Sequence, residues 1–503
     1  MRQDIWYTAT WARLLCVTAL TALAGTLAEP ADAQIRLGSL ATISGSARLR
    51  YEGWNWFDPG ALPANDNHRY GFFAQQSHLV LKADPAPSLG FLVDVENVML
   101  LGLPDDANAA APFGDLGLGA TYFAPHEETN DTRTFLHQGF LALRSPGHPA
   151  TYLRVGRFEY NDGLEVMTGE PTLDWLKRTR LAARLVGTFA FSNVARSFDG
   201  LTAAVDQPRF NLTGLATRPR QGGFQLEGMK EISAIDLAAL TLTLKPGVLG
   251  AAAEGRLFYM YYHDDRSPAD GVVKVDNRAA AARAADFASI GMSQVGGHFI
   301  QTLPVGRGVA DLLAWGVYQR GHWGLLQHRA WAGAAELGYQ FSTTPWRPWA
   351  RVGYNRTSGD GDPADSSHGT FFQTLTTARP YAQFPFFNMM NNEDLFAQLI
   401  VRPVAGRLSL RCDLHRLRLS NRNDLWYVGS GATQRTGVFG FGGRPSGDSR
   451  DLATLADLAV TWDPSPHVSL YGYYGHAFGG EVIDKIYQRT TGEFAYLETT
   501  LRF

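Results

Sequence analysis

Apolar and polar residues alternate with a period of two along most of this chain. Leu49 and Tyr51 oppose Arg48, Arg50 and Glu52, and Phe91, Val93 and Val95 oppose Asp94 and Glu96. Thr151, Leu153 and Val155 oppose Tyr152 and Arg154, while Leu408, Leu410, Cys412 and Leu414 oppose Arg411 and Asp413. That period belongs to strands with two unlike faces. It predicts strands over 41–52, 69–82, 89–101, 133–145, 150–159, 197–205, 209–218, 233–244, 254–263, 291–301, 308–319, 329–341, 347–357, 393–402, 407–419, 452–462, 467–475 and 493–503. The last run closes on Phe503, which shares a face with Ala495, Leu497, Thr499 and Leu501.

The connections alternate as well. Short Pro- and Gly-rich turns lie at 84–87, 145–149, 206–208, 343–345, 403–406 and 463–466, each between two strand runs. Between these hairpins come long polar or Gly-rich stretches at 53–68, 102–132, 160–196, 264–290, 358–392, 420–451 and 476–492. Short turns on one rim and long loops on the other are the layout of bacterial outer-membrane barrels, with the short side periplasmic.

Alternation alone fits a soluble sandwich or a barrel in lipid. In the sandwich the apolar face points in; in the barrel apolar residues face acyl chains and charges line the lumen. Three features select the barrel: the turn–loop asymmetry, the aromatic terminal strand, and a leader. Arg2 and Arg13 flank the start of an apolar run from Leu14 to Ala28, followed by Pro30 and Ala31-Asp32-Ala33, which predicts a signal peptide over 1–33 and cleavage before Gln34. The run is shorter than the roughly 20 residues a spanning helix needs, and Leu15 before Cys16 argues against a lipoprotein. The expected fold is all-β: residues 34–503 form a closed antiparallel transmembrane β-barrel of roughly eighteen strands, with short periplasmic turns and long extracellular loops.

A charge aimed at lipid near the midplane costs about 2–4 kcal/mol for arginine, so the charged parity is expected to face the lumen. Two parity slips predict bulges. Phe158 and Tyr160 follow Val155 at odd spacing, which places one near Gly156, and Leu417 and Leu419 follow Leu414 likewise, which places one near His415.

Composition changes this picture little. Removing 1–33 takes two arginines and three acids from 45 basic and 48 acidic residues, leaving the chain close to neutral and unlike a nucleic-acid binder. The remaining single cysteine, Cys412, has no internal partner.

One local signature stands out: Gly156-Arg157-Phe158-Glu159-Tyr160-Asn161-Asp162-Gly163, then Trp175-Leu176-Lys177-Arg178, then Arg196-Ser197-Phe198-Asp199-Gly200. This order resembles the alginate export family of outer-membrane porins. The resemblance implies an eighteen-stranded barrel that passes an anionic polysaccharide outward through an arginine-lined constriction. Guanidinium groups suit a polyuronate, because they pair carboxylates through two donors and are more weakly hydrated than ammonium. The matching positions make Arg157, Glu159, Asp162, Arg196 and Asp199 lumen or loop-gate residues. Alternation adds Arg48, Arg50, Arg154, Arg351, Arg402, Arg411, Asp413, Arg416 and Arg418 as pore-lining candidates, with Glu52, Asp94 and Glu96 expected to pair some of the arginines. The plain alternative is that such ladders only fill and brace the interior, and Asp199-Gly200 is also a turn signal.

Members of that family can close the periplasmic mouth with an extended turn near the C-terminus, yet here the last such turn, 463–466, is short. A plug therefore has to come from an extracellular loop such as 102–132 or from the turn at 245–253. The segment Thr172 to Val186 reads as a short amphipathic helix capped by Thr172. It either folds into the lumen or lies at the rim with Trp175 at the lipid interface.

An enzyme is the rival class, but His68, His78, His263 and His415 are scattered and lack a nucleophile motif. No His/Cys spacing indicates a metal, and the acids of His263-Asp264-Asp265 and Asp360-Gly361-Asp362 read as solvated loop acids before they read as calcium ligands. The expectation is a passive channel without catalytic residues, cofactor or metal. Its partners are outer-membrane lipids, an anionic polysaccharide and a periplasmic secretion complex, and no nucleic acid. An uptake porin for small anions or sugars is the first alternative, an outer-membrane enzyme the second.

Overall fold

Eighteen antiparallel strands close on themselves in the computed structural model, which describes residues 34–61, 65–429, 433–435 and 442–503. The expected signal peptide, 1–33, lies outside the described residues. The strands are β1 (Ala41–Asn55), β2 (Arg69–Ala86), β3 (Leu89–Leu101), β4 (Asn130–Ser145), β5 (His148–Phe158), β6 (Phe198–Asp206), β7 (Phe210–Pro219), β8 (Ile235–Leu244) and β9 (Ala253–Asp264). They continue as β10 (Ile290–Val305), β11 (Gly308–Trp323), β12 (Leu326–Gln340), β13 (Trp349–Thr357), β14 (Asn392–Val404), β15 (Leu408–Leu419), β16 (Asp451–Ser465), β17 (Val468–Gly479) and β18 (Thr491–Arg502). Each expected strand is present, displaced by a few residues at its ends.

Neighbours in sequence are neighbours in the sheet, and β1 pairs with β18 from Ser46↔Arg502 to Asn55↔Glu493. Closure leaves no row of unpaired peptide groups facing hydrocarbon. The terminal residue completes the seam, since the Phe503 amide donates to the Gly45 carbonyl at 3.0 Å and the Gly45 amide donates back at 3.1 Å. No described helix is long and apolar enough to cross a membrane.

Outward positions carry exposed apolar side chains, among them Leu79, Val93, Leu153, Val155, Leu257, Leu337, Leu395 and Leu414. Inward positions are buried, and many are apolar: Leu237, Met260, Leu313, Trp315, Val317 and Ile400. A lumen lined by charge alone is therefore not what the chain builds. Two long connections fold inward and fill much of the bore. The β5–β6 connection, 159–197, and the β13–β14 connection, 358–391, pair with each other inside it. The Leu375 amide donates to Leu185 O at 2.8 Å, Gly187 N to Leu375 O at 2.9 Å and Thr377 N to Ala183 O at 2.9 Å. Phe371, Phe372, Leu375, Phe384 and Phe386 are buried in the same interior cluster as Leu173, Leu176 and Leu185.

The two bulges fall elsewhere than expected. Register runs unbroken through Val155↔Leu201, Gly156↔Gly200, Arg157↔Asp199 and Phe158↔Phe198, and Phe158 and Phe198 are buried inside. The extra residue sits one strand away at His137, between Gln138 opposite Asp94 and Leu136 opposite Val95. Alternation in β15 likewise continues without a slip to Leu417 and Leu419, both buried inward, and the irregularity lies on β16 at Leu452. The assumption that leucines face out fails near the long-loop rim. There the infolded loops supply an apolar partner inside, while Arg416 and Arg418 turn outward.

The helical segment is shorter and differently capped. A helix, α1 (Pro171–Leu176), runs into a π-helical turn, Lys177–Leu181, and residues 182–185 turn and bend, with Ala183 at φ 57°. Its cap is Glu170, whose carboxylate accepts from Leu173 N at 2.6 Å, in place of Thr172. Proline at the first helical position fits, because the missing N–H is one the helix leaves unpaired anyway.

Gly156 has φ 126°, and a Cβ there would lie 2.4 Å from the Gly139 carbonyl oxygen. Gly156→Ala is expected to destabilise the barrel by more than about 1 kcal/mol, read from urea unfolding in vesicles. Gly214→Ala, where a Cβ meets nothing within 4 Å, should leave the midpoint in place.

Candidate functional site in the arginine-bearing lumen

The β5–β6 connection leaves the long-loop rim and carries α1 down toward the opposite mouth. Gln340, at the short-turn end of β12, donates to Thr172 Oγ1 at 2.9 Å. Trp175 packs on the inward Trp349 with ring centroids 4.4 Å apart. Above them, on the long-loop side, lies a dry ion network. Arg180 meets Glu336 at 2.9 Å, Arg184 meets Glu336 at 3.4 Å, and Arg351 meets Asp311 at 3.0 Å and Glu336 at 3.2 Å. Lys177 pairs with Glu254 at 2.5 Å. Arg256 bridges Asp162 and Glu165, each at 2.6 Å. Burial, opposed by Arg256 and reinforced by Glu165, pushes the Asp162 carboxyl up to about 6. These cations are neutralised and sealed, and they latch the infolded loop to the wall.

A second group of arginines occupies the wall formed by β15 to β18 and β1. Arg48 donates to Ala190 O at 2.8 Å and Ser192 O at 2.5 Å, holding the descending loop by its carbonyls. Arg50 meets Glu498 at 2.6 Å and Glu52 at 3.3 Å, and its guanidinium lies over Phe191 and Tyr496. Arg379, from the β13–β14 connection, stacks 3.9 Å from the Phe191 centroid and 4.9 Å from that of Tyr473. Its Nη1 and Nη2 have no hydrogen-bond partner among the described residues. Arg411 pairs with Asp413 at 2.5 Å. The side chains of Arg48 and Arg411 are 16% exposed where those of Arg180 and Arg351 are 0%, so solvent reaches this wall and not the latch.

The other expected residues are dispersed. Arg154 lies inward over Phe140 at 4.4 Å, and Arg402 lies over Trp349 at 5.4 Å near the short-turn mouth. Arg157 and Asp199 pair at 2.9 Å on the parity of the outward Val155 and Leu201, and Arg220 joins Asp199 from the following loop. Glu159 binds His137 at 2.9 Å. Arg196 is fully buried in the infolded loop, where burial brings its guanidinium down to about 10, and it donates to Thr433 O at 3.0 Å. Arg416 and Arg418 are exposed on the outer side, Arg416 against Asp451 at 2.6 Å. Glu52 pairs with an arginine as expected. Asp94 and Glu96 instead meet histidines, His78 at 3.0 Å and His137 at 3.1 Å. Asp264 is buried against Arg266 at 2.7 Å, which corrects its reading as a solvated loop acid.

Sequence reasoning missed Arg379, Glu336, Asp311 and His137 as site residues. His137 had a signal: Leu136 and Leu141 face out at odd spacing, which requires an extra residue between them. Arg379 had none, because its segment carries no periodicity.

The sequence profile of the family described as alginate export matches residues 94–496. The fold aligns with solved outer-membrane barrels. OccK9 (OpdG) of Pseudomonas aeruginosa is 12% identical with a TM-score of 0.56, covering 92% of this chain and 98% of that one. A BenF-like porin from Pseudomonas fluorescens Pf-5 is 10% identical with a TM-score of 0.58, and OccK2 (OpdF) of Pseudomonas aeruginosa, solved in complex with glucuronate, is 10% identical with a TM-score of 0.53, both at the same coverages. At these identities the likeness is one of fold. Among curated protein sequences none matches.

Glu336→Ala is expected to release the latch, because it strands the buried Arg180 and Arg184, leaving Arg351 with Asp311 alone, at a cost of about 3–5 kcal/mol. Limited trypsin digestion should then cut after Arg178 or Arg180 in the folded barrel, and single-channel conductance should rise. The double variant Arg180→Met, Glu336→Leu should stay closer to wild type in both readouts.

Proposed function

The chain belongs to the alginate export family and forms a channel in the bacterial outer membrane, and from that premise we propose that its cargo is an anionic, alginate-like polysaccharide. The polymer passes outward along the wall that carries Arg48, Arg50, Arg379 and Arg411. The observation that carries this reading is Arg379: its guanidinium carbon lies 3.9 to 5.8 Å from the centroids of four aromatic rings, and both terminal nitrogens are buried without hydrogen-bond partners among the described residues. A fixed, unpaired fork of donors matches a carboxylate, and each sugar of a polyuronate brings one. Arg402 and Arg154 lie nearer the periplasmic mouth and offer earlier contacts. The channel makes and breaks no bond, and a gradient or a periplasmic secretion complex supplies the drive.

For passage the two infolded loops have to part, and their polar latch has to be exchanged for contacts to the polymer. A second reading has one observation in its favour. The structurally similar OccK2 was solved with glucuronate, a single uronate, which suits an uptake porin for small anions on the same barrel.

Planar-bilayer reversal potentials should report anion preference, and oligouronates should block the current where neutral oligosaccharides of equal length do not. Arg379→Gln is expected to weaken that block at least about tenfold, equivalent to about 1.4 kcal/mol. Cation preference in the wild type, or equal block by neutral sugars, would refute the polyuronate. Block by a monomeric uronate as tight as by the oligomer would favour uptake. Hydrolysis of phospholipid or peptide by the purified barrel would revive an enzyme.

A further inference from the structure

Asp413 on β15 and Asp457 on β16 stand directly opposite each other across the sheet, both inward. Two ionised carboxylates so placed repel. His415 follows Asp413 on the same face, and one donor atom from each of the three residues lies within 4.8 Å of the other two. Their exposures are 5%, 6% and 1% for Asp413, Asp457 and His415, so all three are more than nine-tenths buried. His415 Nδ1 is bonded to Asp394 at 3.0 Å, which fixes the ring and leaves Nε2 without a hydrogen-bond partner. Asp457 accepts from Tyr473 Oη at 2.7 Å on Oδ1, while Oδ2 has none. Asp413 accepts from Gln398 Nε2 at 2.9 Å and from Arg411.

We propose that Asp413, His415 and Asp457 form a binding site for a divalent first-row transition-metal ion, on the solvent-reached wall of the lumen. The supporting shell has the form that ligating histidines use, with the second ring nitrogen tied to a carboxylate and the ligating carboxylates themselves hydrogen-bonded. An imidazole beside two carboxylates suits zinc and its neighbours, while calcium and magnesium favour all-oxygen sets. The positive groups nearby are Arg411 on Asp413 and Arg379 over Tyr473. Against Asp394, Asp413 and Asp457 they leave an excess of carboxylate, which a divalent ion reverses. The metal would therefore tie β15 to β16 and turn this part of the wall positive. The inference stands apart from the cargo reading, since it concerns the triad alone.

The test uses the full chain as an inserted barrel carrying Cys412→Ser, stripped with EDTA and titrated with zinc chloride by calorimetry, with bound metal counted by mass spectrometry. One zinc per chain is expected, together with a rise in the thermal midpoint. Asp394→Asn should weaken binding about 10–100-fold, and His415→Gln with Asp457→Asn should abolish it. Zinc-edge absorption on the Cys412→Ser barrel needs no ligand variant and should show an imidazole among oxygen donors. A shell without imidazole overturns the proposal, as does a double variant that retains the affinity. Protein that takes up no zinc overturns it too, and points to a proton shared between Asp413 and Asp457.

Discussion

In hydrocarbon, a peptide N–H or C=O without a partner costs several kcal/mol, and the rest of this structure follows from that demand. It forces the sheet to close, which places the seam between β1 and β18 and gives the last residue a structural part through its paired bonds to Gly45. It also fixes which parity meets lipid. The inward parity is then free to carry any side chain, provided something inside satisfies it. Here that something is largely protein, because the β5–β6 and β13–β14 connections descend into the bore and pair with each other there.

Filling the bore divides the arginines by environment. Where loop and wall exclude water, Arg180, Arg184 and Arg351 share carboxylates around Glu336 and Asp311, whereas the buried Arg196 and Arg379 have none among the described residues. Such sealed networks are weak sources of stability compared with apolar packing, but removing one member is expensive. That makes them good at holding one arrangement of the loop. Where solvent still reaches, Arg48 lies 3.9 Å from Glu498 and Arg411 is paired with Asp413 at 2.5 Å. Residues of one type thus divide between a sealed network and a wetter wall.

The strand count and the alternation of rims were legible in the sequence, because a period of two punctuated by Pro and Gly is a local signal that needs no tertiary knowledge. The bulges were misplaced because that reading equated aromatic and leucine side chains with lipid, whereas Phe158 and Tyr160 are buried. Leu417 and Leu419 find apolar partners inside, so the equation fails wherever a loop folds inward. Arg416 and Arg418 were assigned to the lumen by the same equation and lie outside. The latch was illegible for another reason: Arg180 and Glu336 lie 156 residues apart, and nothing in either segment names the other. Arg157 and Asp199, expected as lumen or loop-gate residues, pair with each other on the outward parity.

Both infolded connections are rooted at the extracellular rim, while the tip of one reaches Gln340 near the opposite mouth. A load arriving from the periplasm pushes that tip along the direction in which it withdraws. A load from outside bears on the roots and drives the tip deeper into its seat. The obstruction is accordingly asymmetric about the membrane, like a flap hinged at its extracellular edge.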